Sequence, residues 1–155
     1  MNCTEENTSA FLKYLINNGG PEPKDYDKFT SLVNGLDQAD VDEFRKEIET
    51  ILNENTLIGH GYVKPYGYPG DFTLIDKIYQ FDVNEDSRYK NWDLFFQNQP
   101  GASAVRNRKD FFMEYCRKMV LRNENAKILI LGSGPASDVY EFLSSISGGS
   151  VLTLH

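Results

Sequence analysis

The chain has 155 residues, 40% of them apolar, which suffices for a domain with its own core. A formal charge of −7 argues against nucleic acid as the main partner, and no apolar run reaches the roughly 18 residues a membrane helix needs. The opening MNCTEENTSA has neither the basic nor the apolar part of a signal peptide, and Cys3 and Cys116 lack CxxC or Cys/His spacing. A cytoplasmic protein without a disulfide framework or a structural metal is therefore expected.

Residues 9–56 read as helical. Phe11, Leu12, Leu15 and Ile16 keep helical spacing, and Gly19, Gly20 and Pro21 form a stop. Val41, Phe44, Ile48, Ile51 and Leu52 continue the rhythm, with Asp40 as N-cap and Glu43 three residues on, as in a capping box. Residues 1–56 hold 12 acids and 5 bases, a net of −7.

Residues 59–71, GHGYVKPYGYPGD, change character. Four glycines, two prolines and three tyrosines in this stretch predict a rigid loop rich in aromatic edges, of the kind that often carries function. Asp71 is placed to N-cap the helix marked by Phe72, Ile75, Ile78 and Tyr79, a role compatible with ligand contact. His60 is a candidate general base because an unperturbed imidazole titrates near neutral pH; the alternative is a structural histidine held by hydrogen bonds.

A polar turn and an aromatic helix containing Trp92, Leu94, Phe95 and Phe96 occupy residues 82–98. A long helix follows Pro100. Residues 97–125 hold 6 bases and 3 acids, a net of +3, which makes this the one basic region. Val105, Phe112, Tyr115, Cys116, Met119 and Val120 fall on one arc of that helix. Arg108 falls inside the arc, where a guanidinium must snorkel out, pair with a carboxylate or face an anion-binding cleft. Arg106, on the polar edge, reads as a solvated charge.

The stretch KILILGSGPASDVY begins at Lys127. Four aliphatic residues, Ile128 to Leu131, run into Gly132, Ser133, Gly134, Pro135 and Ala136, and then into a helical pattern reaching Ile146. Such an order predicts a buried parallel strand, a tight loop and a helix N-terminus, with Val151 to Leu154 as a second strand. The dinucleotide fingerprint wants a third glycine where Ser137 stands, which weakens a nicotinamide reading. S-adenosylmethionine (SAM) instead needs close backbone approach to its amino acid part and ribose, which Gly132 and Gly134 allow. The acid that would accept the ribose hydroxyls belongs at the end of the second strand, where the sequence stops at His155.

LILGSGPASDVYEFL resembles the first motif of class I SAM-dependent methyltransferases. YGYPGDFTLIDKIY and NQPGASAVRNRKDFF resemble the N-terminal region of a bacterial subgroup related to the synthases of 3-hydroxy fatty acid methyl ester signals. The resemblance spans residues 59–154. It implies an α/β protein: an α-helical N-terminal lid over residues 1–125, then the first β-α-β unit of a Rossmann-like SAM-binding domain over 126–155, incomplete in the given sequence. It implies cofactor contacts from Gly132, Ser133, Gly134, Pro135, Ala136, Tyr68, Asp71 and Arg106, and substrate contacts from Arg108 and Tyr66. The substrate implied is a small molecule, a fatty acid or other carboxylate. An incomplete sheet from 127 onward would be poorly packed and would expose an edge able to recruit a second copy. Two further readings stay open: a helical interaction module without methyl transfer, and a nicotinamide-dependent oxidoreductase.

Overall fold

The structure is a computed structural model that describes residues 3–123, 127–130 and 134–146, with side chains from Thr8 onward. All of its regular structure is helical. Helices α1 (Cys3–Asn17), α2 (Tyr26–Asn34), α3 (Asp40–Glu47) and α4 (Leu57–Val63) precede α5 (Phe72–Gln80), α6 (Lys90–Gln97), α7 (Pro100–Arg122) and α8 (Ser137–Ser145). A short 3-10 turn at Pro23–Asp25 leads into α2.

The expected α/β architecture is corrected by this result, for the described residues contain no strand and no sheet. An aliphatic run becomes a strand only when a neighbouring strand takes its N–H and C=O groups. Residues 127–130 form no backbone hydrogen bond to another described segment. Ile128 packs into a helical core instead, and Leu129 faces solvent. Leu131, Gly132, Ser133 and the second expected strand, Val151–Leu154, lie outside the described residues.

The first core joins Phe11, Leu12 and Leu15 of α1 to Phe29 of α2, Ile48 and Ile51 of the following turns, and Trp92 and Phe95 of α6. Gly19 and Gly20 adopt φ of +69° and +126° and bring the end of α1 against the start of α6. Trp92 N–H donates to Gly19 O at 3.1 Å. A Cβ at Gly20 would stand 2.3 Å from Trp92 N, so only glycine fits there.

The predicted helix from Asp40 to Leu52 ends early, at Glu47. Its N-cap position is Ala39, Asp40 is the first helical residue, and Asp37 Oδ1 just before them accepts from the N–H groups of Ala39 and Asp40. Residues 59–63, the first part of the stretch expected as loop, belong to α4 in spite of two glycines. Thr56 Oγ1 caps it by accepting from Gly59 N–H at 2.9 Å and ties it back by donating to Ile51 O at 2.7 Å. Gly59 backs onto the chain so closely that a Cβ would lie 2.0 Å from Asn53 O.

A second core gathers Leu57, Leu74, Ile78 and Ala102, joining α4 and α5 to the start of α7. A third holds Met113 and Cys116 of α7 with Phe142 of α8, and Phe112, Val120, Ile128, Leu143 and Ile146 pack around it. Lys109 reaches from α7 to Glu141 at 2.5 Å. So α8 is seated on α7, and this part of the stretch from residue 127 onward is packed where poor packing was expected.

Candidate functional site

The stretch after α4 turns at Lys64, in left-handed conformation with φ of 55°, and reaches α5 through Tyr66, Gly67, Tyr68, Pro69 and Gly70. Tyr62, Tyr66, Tyr68 and Phe72 are all exposed, and the Tyr66 and Phe72 rings lie 4.9 Å apart. Large aromatic rings held at a surface by a proline-braced turn form a ready platform for a flat or apolar ligand. A Cβ added at Gly67 or Gly70 would meet nothing within 4 Å, so the backbone of this loop is approachable.

Beneath the loop lies a closed polar network. Asp71 caps α5 as its spacing predicts: Oδ1 accepts from Thr73 N–H at 2.9 Å and from Leu74 N–H at 3.0 Å. The Thr73 hydroxyl donates to the same oxygen at 2.5 Å. On the other side of the carboxylate, Oδ2 stands 2.7 Å from His60 Nε2, and Thr73 Oγ1 is 3.2 Å from that nitrogen. With His60 Nε2–H donating to Oδ2 and the Thr73 hydroxyl donating to Oδ1, both carboxylate oxygens are engaged, and Thr73 Oγ1 can take only a share of the same Nε2–H. Burial works to raise the Asp71 pKa, but the donors from Thr73, Leu74 and His60 outweigh it and hold the carboxyl below its usual range. Asp71 is 0% exposed, so its oxygens offer nothing to a ligand directly. His60 is buried too, with Nε2 committed to Asp71.

Arg106 belongs to a second network. Its guanidinium donates from Nη1 to Gln97 Oε1 at 2.8 Å and from Nη2 to Gln97 O at 2.7 Å, and it lies over the Phe81 ring at 4.9 Å. Gln97 is wholly buried and passes its own Nε2–H groups to Lys77 O and Asp82 O. Arg106 thus joins α7 to the ends of α5 and α6. Arg108 is exposed, contrary to its place on the helical wheel, because the buried arc of α7 runs through Met113 and Cys116. No hydrogen bond or ion pair joins Arg106 or Arg108 to the Tyr66–Asp71 loop among the described residues.

Gly134 and Ala136 both adopt left-handed φ, 58° and 57°, just before α8, and a Cβ at Gly134 would meet nothing within 4 Å. Pro135 stands between them, two residues before the helix begins at Ser137. Gly132 and Ser133 lie outside the described residues.

Three polar groups that organise this region are missed by the motif reading: Thr73, Asp93 and Gln97. Asp93 is buried and accepts from Leu57 N–H at 2.7 Å and Asn84 N–H at 2.9 Å. Burial pushes its pKa up against the pull of those two donors. The available signal was the spacing of Asp93 and Gln97, four apart on one face of an otherwise aromatic helix. No cluster of three or more His, Cys, Asp or Glu side chains suited to a metal occurs among the described residues. Likewise, no helix among them is long and apolar enough to cross a membrane.

Comparison of the chain with protein-family models, with curated proteins and with solved structures finds no match.

Proposed function

We propose that the chain is the helical, ligand-covering part of a cytoplasmic SAM-dependent methyltransferase that acts on a small-molecule carboxylate. The observation carrying this reading is the union of the two upstream motif stretches. YGYPGDFTLIDKIY and NQPGASAVRNRKDFF are separate in sequence, with residues 80–97 between them, and Leu74 and Ile78 of the first share one core with Ala102 of the second. The Tyr66–Gly70 loop sits at the N-terminal end of that unit, rigid below and exposed above.

The residues fit the cofactor in distinct ways. Tyr66, Tyr68 and the open backbone at Gly67 and Gly70 suit direct contact with an adenine or methionine portion. Arg108, exposed on α7, suits a carboxylate. Asp71 and Arg106 are internally engaged and serve as positioning residues, Asp71 for the loop and Arg106 for the α5–α6–α7 junction. Gly134, Pro135 and Ala136 would contribute backbone groups before α8.

SAM supplies the activated methyl group when bound. A carboxylate acceptor is already ionised near neutral pH and needs no general base, which suits a buried His60 that is spent on Asp71. The contribution of the chain is alignment and exclusion of water. Calorimetric titration of the purified chain with SAM and with NADH tests the reading. Saturable heat with SAM alone, weakened in Tyr68→Ala, is expected; heat with NADH alone overturns it.

A second reading, a helical interaction module, is favoured by the exposed apolar stripe of α7. Phe111 is 69% exposed and stacks on Tyr115, with Met119 one turn further on. Self-association through a sheet edge is not carried forward, since the described residues have no sheet. Light scattering separates the two readings: a dimer that Phe111→Glu returns to monomer, with no SAM binding, supports the module.

A further inference from the structure

The pairing of Tyr66 with Phe72 selects by charge as well as by shape. Their ring centroids are 4.9 Å apart and the planes are inclined at 49°. The two residues are 53% and 42% exposed, so a ligand reaches both rings from solvent. An aromatic ring carries a negative π surface that attracts a cation placed over it, and the attraction grows as the cation loses water. A methylated onium centre suits such a surface, because its charge is spread over groups that water holds weakly.

Ion pairing cannot supply the same attraction here. Asp71 is the one carboxylate in residues 59–72, and it is 0% exposed with both oxygens engaged. The exposed charge of the stretch, Lys64, is itself a cation. At Tyr62 the chain supplies a cation of its own, since the Arg45 guanidinium lies over that ring at 5.7 Å. No lysine or arginine among the described residues stands over Tyr66 or Phe72. This pair of rings is left for a cation from outside the chain.

We propose that Tyr66 and Phe72 recognise the sulfonium of SAM through their π surfaces, so that the site prefers the charged methyl donor over the neutral thioether left after transfer. The inference rests on the SAM reading above and adds to it the part of the cofactor that meets these rings. Methyl transfer to a carboxylate oxygen forms an O–CH3 bond, breaks the S–CH3 bond and returns the bonding pair to sulfur, which becomes uncharged. The rings lose their partner in that step, and release of the product is favoured.

The test is calorimetric titration of the whole chain with SAM and with S-adenosylhomocysteine, the thioether. SAM should bind about fivefold more tightly. Tyr66→Leu and Phe72→Leu keep an apolar side chain and remove a ring, and each should bring the ratio toward one while thioether binding changes little; Tyr66→Phe should keep the preference. All three variants alter exposed side chains, and their circular dichroism should match that of the parent. Equal affinities in the parent, or a preference that survives both leucine variants, overturn this inference and leave the SAM reading standing. Binding of neither ligand overturns both.

Discussion

Asp71 spends one oxygen on starting α5 and the other on His60, so the two possible replacements separate these roles. Asp71→Asn keeps a competent cap and loses the charge, whereas Asp71→Ala loses both and strands two buried partners. Urea denaturation should show a loss of about 1 kcal/mol for the first and about 3 kcal/mol for the second. The pH dependence has a definite sign. A carboxyl held low in the folded state contributes stability that is present above the ordinary carboxylate pKa and lost as pH falls through the folded value. The gap between parent and Asp71→Asn should therefore narrow on acidification. A gap that stays constant from neutral to strongly acidic pH would remove Asp71 from the acid transition. Asp93 has the opposite sign, since its raised pKa makes stability decline as pH rises from the ordinary carboxylate range toward the folded value. Asp71 as a cap was legible in the sequence because Gly70 and the apolar rhythm beginning at Phe72 mark a helix start. Its bond to His60 was not, since that contact depends on α4 folding back over the loop.

The punctuation of α5 and α7 was read correctly, whereas the capping box expected at Asp40 and Glu43 does not form. Pro100 opens α7 and Asp71 opens α5, each by local chemistry that needs no neighbour. Where packing overrides the pattern, the reading fails. Ile48 and Ile51 continue a helical rhythm after α3, but they are buried from successive turns, so the same apolar spacing serves two geometries. Glycines hid α4, although Gly59 is there because the helix lies almost on the backbone of Asn53. Ile128, Leu129 and Ile130 illustrate the remaining ambiguity, for a short aliphatic run cannot announce whether a strand or a helix will cover it. Two substitutions test the junctions. Gly20→Ala forces a Cβ into Trp92 N and demands an unfavourable φ, and should cost about 3 kcal/mol or more, read as a lowered melting temperature. Arg106→Met leaves Gln97 Oε1 unpaired and should cost about 2 kcal/mol; a value near zero would mean the Arg106 fork does not hold the α6–α7 junction.

Three cores share helices: α6 reaches the first, α4 and α5 build the second, and α7 connects the second to the third. Cys116 reports on the third, where burial pushes its thiol pKa up and hides its sulfur beside Phe142. In a Cys3→Ser background, reaction with a thiol reagent should be slow and limited by α8 lifting from α7. Phe142→Ala should speed it roughly tenfold or more. Equal rates in the two proteins would mean that Cys116 is reached by another route. The Gly19–Trp92 contact carries a consequence for synthesis. Phe11, Leu12 and Leu15 emerge from the ribosome early, but the rings that cover them, Trp92 and Phe95, are added some 80 residues later. During that interval the amphipathic N-terminal helices present bare apolar faces, and they are the part of the nascent protein a holding chaperone would grip. Translation of α6 ends that exposure in one step, because the indole that closes the core and the amide that clasps Gly19 belong to the same residue.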